Sequence, residues 1–132
     1  MSLGQLAVER STDTAVKQFG QRMVADHGKA DKQLKGIASE KGATLPTELT
    51  TKQTHEVERL SKLSGREFDK SYMSLMVKDH KTDLKEFQRA AEKSDDPDLK
   101  SFAASTAVVI QQHLGLAERI DESLKTTVSQ NN

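Results

Sequence analysis

The chain has 132 residues, enough for one domain that buries roughly two-thirds of its unfolded surface. Lysine plus arginine and aspartate plus glutamate each number 20; this balance argues against a nucleic-acid binder and against a polybasic membrane-surface protein. The chain has no cysteine, no tryptophan, two prolines and seven glycines, which excludes disulfide scaffolds, thiolate catalysis and Cys-ligated zinc and leaves too little turn chemistry for a many-stranded β fold.

The remaining alphabet, rich in Ala, Leu, Lys, Glu, Gln and Asp, favours an all-α domain. The pattern opens inside a helix, with Leu3, Leu6 and Ala7 on one face, and without a cap, as in a trimmed chain. Met1 to Leu6 lacks the basic and apolar parts of a secretory signal. Ser11-Thr12-Asp13 ends this helix and caps a second, which runs to about Lys41 with Gly42 at its C-cap. Thr44-Leu45-Pro46-Thr47 reads as a loop. A short amphipathic stretch follows from Leu49 to Leu63, then a long helix from Arg66 to about Lys93. Asp96 as N-cap and Pro97 at the first helical position start the last helix. It runs to about Lys125, and the polar tail 126–132 is expected to fray. The longest apolar run, Ala107 to Ile110, is too short to span a bilayer.

Helical phase demands a break near Gly65. Tyr72, Met73, Met76, Val77, Leu84, Phe87 and Ala91 lie within roughly 80° of His80 on a helical wheel, whereas Val57, Leu60 and Leu63 fall roughly 100° or more away. A continuous helix would aim two apolar stripes in different directions.

The most informative motif is a repeat. Met23-Val24-Ala25-Asp26-His27 recurs as Met76-Val77-Lys78-Asp79-His80, and seven residues after each histidine stands an apolar residue, Leu34 or Phe87. His27 is near the middle of the stripe containing Val16, Phe19, Met23, Leu34 and Ile37. His80 is central in its own stripe, and His113 is central in that of Leu99, Phe102, Val109, Ile110, Ala117, Ile120 and Leu124. If 42–65 climbs back along the bundle, the second and third long helices run parallel and the three imidazoles meet at one level. His55, in the connecting stretch, reads as a surface residue.

Asp31, one turn after His27, and Asp83, three residues after His80, add carboxylates at that level, with Asp26 and Asp79 at the stripe edges. Imidazoles with carboxylates suit Zn, Fe, Mn, Cu or Ni, so His27, His80, His113, Asp31 and Asp83 are candidate ligands of one divalent transition metal. The bland alternative is a structural layer in which buried histidines donate to aspartates and fix helix register. The di-iron signature of Glu-x-x-His pairs is missing, because Val24, Val77 and Ile110 stand where glutamates are needed.

With these residues in hand, the chain resembles a bacterial exported domain of unknown function, often labelled an outer membrane protein and classed as ferritin-like. The resemblance rests on Leu3-Gly4-Gln5-Leu6-Ala7, Val16-Lys17-Gln18-Phe19-Gly20-Gln21-Arg22-Met23-Val24-Ala25-Asp26-His27, Phe68-Asp69-Lys70-Ser71-Tyr72, Val77-Lys78-Asp79-His80 and Gln112-His113-Leu114. It implies a ferritin-like four-helix bundle with a crossover between its second and third helices, a truncated first helix, and a periplasmic or otherwise extracytoplasmic location. It supplies no established activity. Three functions follow as expectations: a non-enzymatic envelope or stress-related bundle with a His/Asp layer holding at most one metal ion, a metal-dependent oxidase or peroxide-scavenging enzyme, and an interaction module. The last would pair with an envelope protein or with a second copy as a homodimer.

Overall fold

A computed structural model describes residues 3–40 and 51–130. Five helices and no strand occur among the described residues: α1 (Leu3–Arg10), α2 (Thr14–Glu40), α3 (Thr51–Ser61), α4 (Gly65–Lys93) and α5 (Pro97–Gln130). No described helix is long and apolar enough to cross a membrane.

The helix boundaries follow local chemistry. Asp13 Oδ1 accepts the Val16 backbone N–H at 3.1 Å and so caps α2. Asp96 Oδ1 accepts the N–H groups of Asp98 and Leu99 at 2.9 and 3.2 Å, with Pro97 in the first turn, as the sequence leads one to expect. Gly65 takes φ +58°, a left-handed conformation that breaks the path between α3 and α4 where the phase argument requires it. α5 continues to Gln130, past the expected end near Lys125; Thr126, Thr127 and Val128 are weak helix formers but none is a breaker. The expected Gly42 cap and the 44–47 loop lie outside the described residues.

Packing fixes the directions. The turn at Ser11 to Asp13 meets Asp69 near the start of α4. Phe19 of α2 lies between Tyr72 and His80 of α4, its ring centre 6.1 and 6.0 Å from theirs. Position thus increases together along α2 and α4, which run parallel. Arg66 reaches the Leu124 carbonyl, His80 faces His113, and Phe87 faces Phe102, so α5 is antiparallel to α4. α3 lies against α1 and α4, at the end of the bundle where α2 starts. α3 thus stands at the end of the bundle where α2 and α4 both begin.

The core fills that same end. Leu6 and Ala7 of α1, Val16, Phe19 and Met23 of α2, Leu60 of α3, Phe68, Tyr72, Met73 and Met76 of α4, and Ala117, Ile120 and Leu124 of α5 are all buried in one cluster. Toward the other end the stripes continue through Leu34, Ile37, Leu84, Phe87, Leu99 and Phe102, which are only half-buried. The histidines stand at the boundary between these two regions.

Candidate functional site

The site is a polar layer across α2, α4 and α5. His113 is 1% exposed and His80 4% exposed, and their ring centres are 5.7 Å apart at 71°. Phe19 lies edge-on to both, at 6.0 and 6.5 Å, and closes the layer from the core side. The wheel argument thus locates these two residues correctly: each is central in an apolar stripe, and the antiparallel α4–α5 pair brings them level.

Each imidazole has one nitrogen committed. His80 Nδ1 donates its proton to the Met76 carbonyl, one turn earlier, at 2.7 Å. This fixes the tautomer and leaves the lone pair on Nε2. His113 Nε2–H donates to Asp26 Oδ2 at 2.6 Å, a bond between α5 and α2. The opposite nitrogen, His113 Nδ1, is buried without a hydrogen-bond partner. Asp26 also faces Arg22 Nε at 3.4 Å, and the Arg22 guanidinium reaches Gln112 Oε1 at 3.4 Å, which completes a polar strip between α2 and α5.

Burial lowers the pKa of both buried histidines. For His80 it outweighs the Met76 carbonyl and Asp79, and for His113 it outweighs Asp26. Both are therefore neutral at pH 7. Partial burial pushes the Asp26 carboxyl up, but His113 and Arg22 outweigh it and hold the pKa below the usual aspartate value.

The other candidates are placed differently. His27 is exposed rather than central in the core. Gly4 of α1 packs against Met23 and Val24, one turn before His27. Protein atoms still crowd its imidazole: lost hydration and the nearby His80 lower its pKa, against Asp83 and Asp26. Asp31 is exposed and paired with Lys35 at 3.0 Å, and Asp83 is exposed. His55 is exposed, as expected. Among the described residues, no three His, Cys, Asp or Glu side chains are grouped to hold a metal ion.

One buried polar group escaped the sequence reading. Asp69 is 2% exposed. Burial raises its pKa against the hydrogen bonds from Ser11 and from the Asp13 and Thr12 backbone, and the Asp13 carboxylate raises it further. Its Oδ1 has no partner, and neither has the buried Tyr72 hydroxyl. The signal for Asp69 was present: it stands three residues before Tyr72 and seven before Met76, within the apolar stripe of α4.

Parallel and antiparallel helices joined by a buried histidine–carboxylate layer define an all-α domain with a polar slice through its interior. The chain belongs to the family described as a domain of unknown function, DUF4142, whose model matches residues 1–120. Comparison with curated proteins and with solved structures found no match.

Proposed function

We propose that this chain is a non-enzymatic, ferritin-like bundle acting outside the cytoplasm, in which the His80–His113–Asp26 layer is a structural element that ties α2 to α5 and sets α4 in register. The observation that carries this reading is the 2.6 Å bond from the buried His113 to Asp26. A charge-assisted bond across helices rewards one alignment and penalises its slips, because a shifted helix would leave a buried imidazole without its carboxylate. The parallel run of α2 and α4, with α3 at the end where both begin, supports the ferritin-like connectivity. The extracytoplasmic location rests on the family resemblance.

Oxidase or peroxide chemistry draws no comparable support. Asp31 and Asp83 face solvent, and the Glu-x-x-His pattern is missing from the sequence.

The test is unfolding of tag-free, chelator-treated protein, together with fractionation of the native host. The structural reading expects His113→Ala to lower the urea midpoint in metal-free protein, and the chain to fractionate outside the cytoplasm. An unchanged midpoint in His113→Ala would remove the structural role. Turnover of oxygen or peroxide by iron- or manganese-loaded protein would replace it with an enzymatic one.

A further inference from the structure

We propose that His80 and His113 form a two-imidazole site for a single cuprous ion. The proposal rests on the buried layer described above and adds a ligand to it.

Two nitrogens in the layer retain lone pairs. His113 Nδ1 is buried and has no hydrogen-bond partner, an uncommon condition for an interior polar atom. His80 Nε2 keeps its lone pair because Nδ1–H is given to the Met76 carbonyl. The committed nitrogens make the bonds that orient a metal-binding imidazole, one to a carboxylate and one to a backbone carbonyl. The spacing agrees. Metal–nitrogen bonds of about 2 Å, with roughly 1 Å from each nitrogen to its ring centre, place the centres of a near-linear pair about 6 Å apart. The observed separation is 5.7 Å.

Donor number and charge select the ion. Zinc and the harder divalent metals need four or more ligands, and no third His, Cys, Asp or Glu side chain joins the pair among the described residues. Cuprous copper is satisfied by two neutral nitrogens. The charges of Asp26 and Arg22 offset each other beside the layer, so the ion's own charge sets the burial cost. That cost grows with the square of the charge, so a monovalent ion needs about a quarter of what a divalent ion of like size needs. Phe19 shields both rings from the core side. Binding involves no electron transfer and displaces no proton, because both donor nitrogens are already unprotonated.

The experiment uses the whole chain without a histidine tag, under anaerobic conditions, with ascorbate-reduced copper competed against a chromophoric cuprous chelator. One copper per chain is expected, with X-ray absorption showing two nitrogen neighbours and no sulfur. His80→Gln and His113→Gln each lose the site, Asp26→Asn weakens it about 10–100-fold, and His27→Ala leaves it unchanged. Failure to compete with the chelator, retention of copper in both glutamine variants, loss in His27→Ala, or stoichiometric zinc in preference to copper each overturns the proposal. Circular dichroism checks folding. If His113→Gln unfolds, His80→Gln decides, since it leaves the Asp26 bond intact. Metal-free stability separates the two readings: a midpoint that falls in His113→Ala without any copper binding keeps the structural layer and removes the copper site.

Discussion

Gly4 and Gly20 bring α1 and α2 into backbone contact: a Cβ placed on Gly20 would stand 2.8 Å from the Gly4 carbonyl oxygen and 2.9 Å from the Ala7 Cβ. Neither neighbour is the end of a flexible side chain, so the helices themselves must separate to admit a methyl group. Gly20→Ala is therefore expected to cost about 1–3 kcal/mol, despite the gain in helix propensity. Gly28 lies in the same helix with open space around its Cβ direction, and Gly28→Ala is expected to stabilise by about 0.5–1 kcal/mol. Chemical denaturation of the two variants side by side checks the pair. Equal effects at both positions would mean that the crossing is looser than described.

The His113–Asp26 bond is measurable by a double-mutant cycle. Asp26→Ala is expected to cost about 1–3 kcal/mol in the native background, through a charge-assisted bond lost and an imidazole N–H left buried. In a His113→Leu background the same change has little left to remove, which gives a coupling of about 0.5–3 kcal/mol. Additive costs in the double variant would show that the bond adds nothing to stability.

What the sequence revealed was what periodicity carries. The α4 and α5 stripes located His80 and His113, and the Asp96-Pro97 pair marked a helix start, because each depends on residues close together in one helix. The parallel run of α2 and α4 was legible too, since three stripe-centred histidines could share a level only that way. His27 was misplaced because a wheel records direction and not cover: its face of α2 is apolar, yet the residue is exposed. Asp26 was seen only at a stripe edge. Its partner is 87 positions away on α5, and no local pattern encodes a cross-helix bond. The same holds for Asp69, whose partners lie at the α1–α2 turn.

Tyr72 carries a hydroxyl that finds no partner in the core, and burial pushes its pKa well above the ordinary phenol value. Its ring does the packing, stacked on Phe68 at 5.5 Å and edge-on to Phe19. Tyr72→Phe keeps that ring and removes an unsatisfied polar atom, so it is expected to be neutral or to stabilise by up to about 1–3 kcal/mol. A clear loss of stability would reveal a buried water bonded to the hydroxyl.

Asp69 gives an acid-side signature. Its folded pKa lies above the ordinary 3.8, so the folded chain binds this proton more readily than the unfolded chain. Its ionisation therefore destabilises the fold fully above the raised pKa, and the penalty fades as pH falls through that value toward 3.8. Asp69→Asn mimics the neutral form and is expected to raise the urea midpoint at pH 7.5, with the advantage over the native chain shrinking toward pH 4. An equal advantage at every pH, or a loss at pH 7.5, would show that the hydrogen bonds to Ser11 and the turn outweigh the burial of charge.

The histidines act in the opposite direction and in a higher window. His27, His80 and His113 all have folded pKa values below 6.5, chiefly through lost hydration. Above that pH neither the folded nor the unfolded chain protonates them, and their contribution to stability is fully present. As pH falls below 6.5, the unfolded chain takes up protons that the folded chain resists, so stability declines until the folded values are reached. Asp26, with a lowered pKa, adds a further loss only below 3.8. Urea midpoints taken from pH 7.5 to 5 should therefore fall, and His80→Gln should flatten the slope because one resisting imidazole is gone. A midpoint that stays level or rises over this range would mean that the interior accepts a charged imidazole, with Asp26 as the counter-ion strong enough to keep it there.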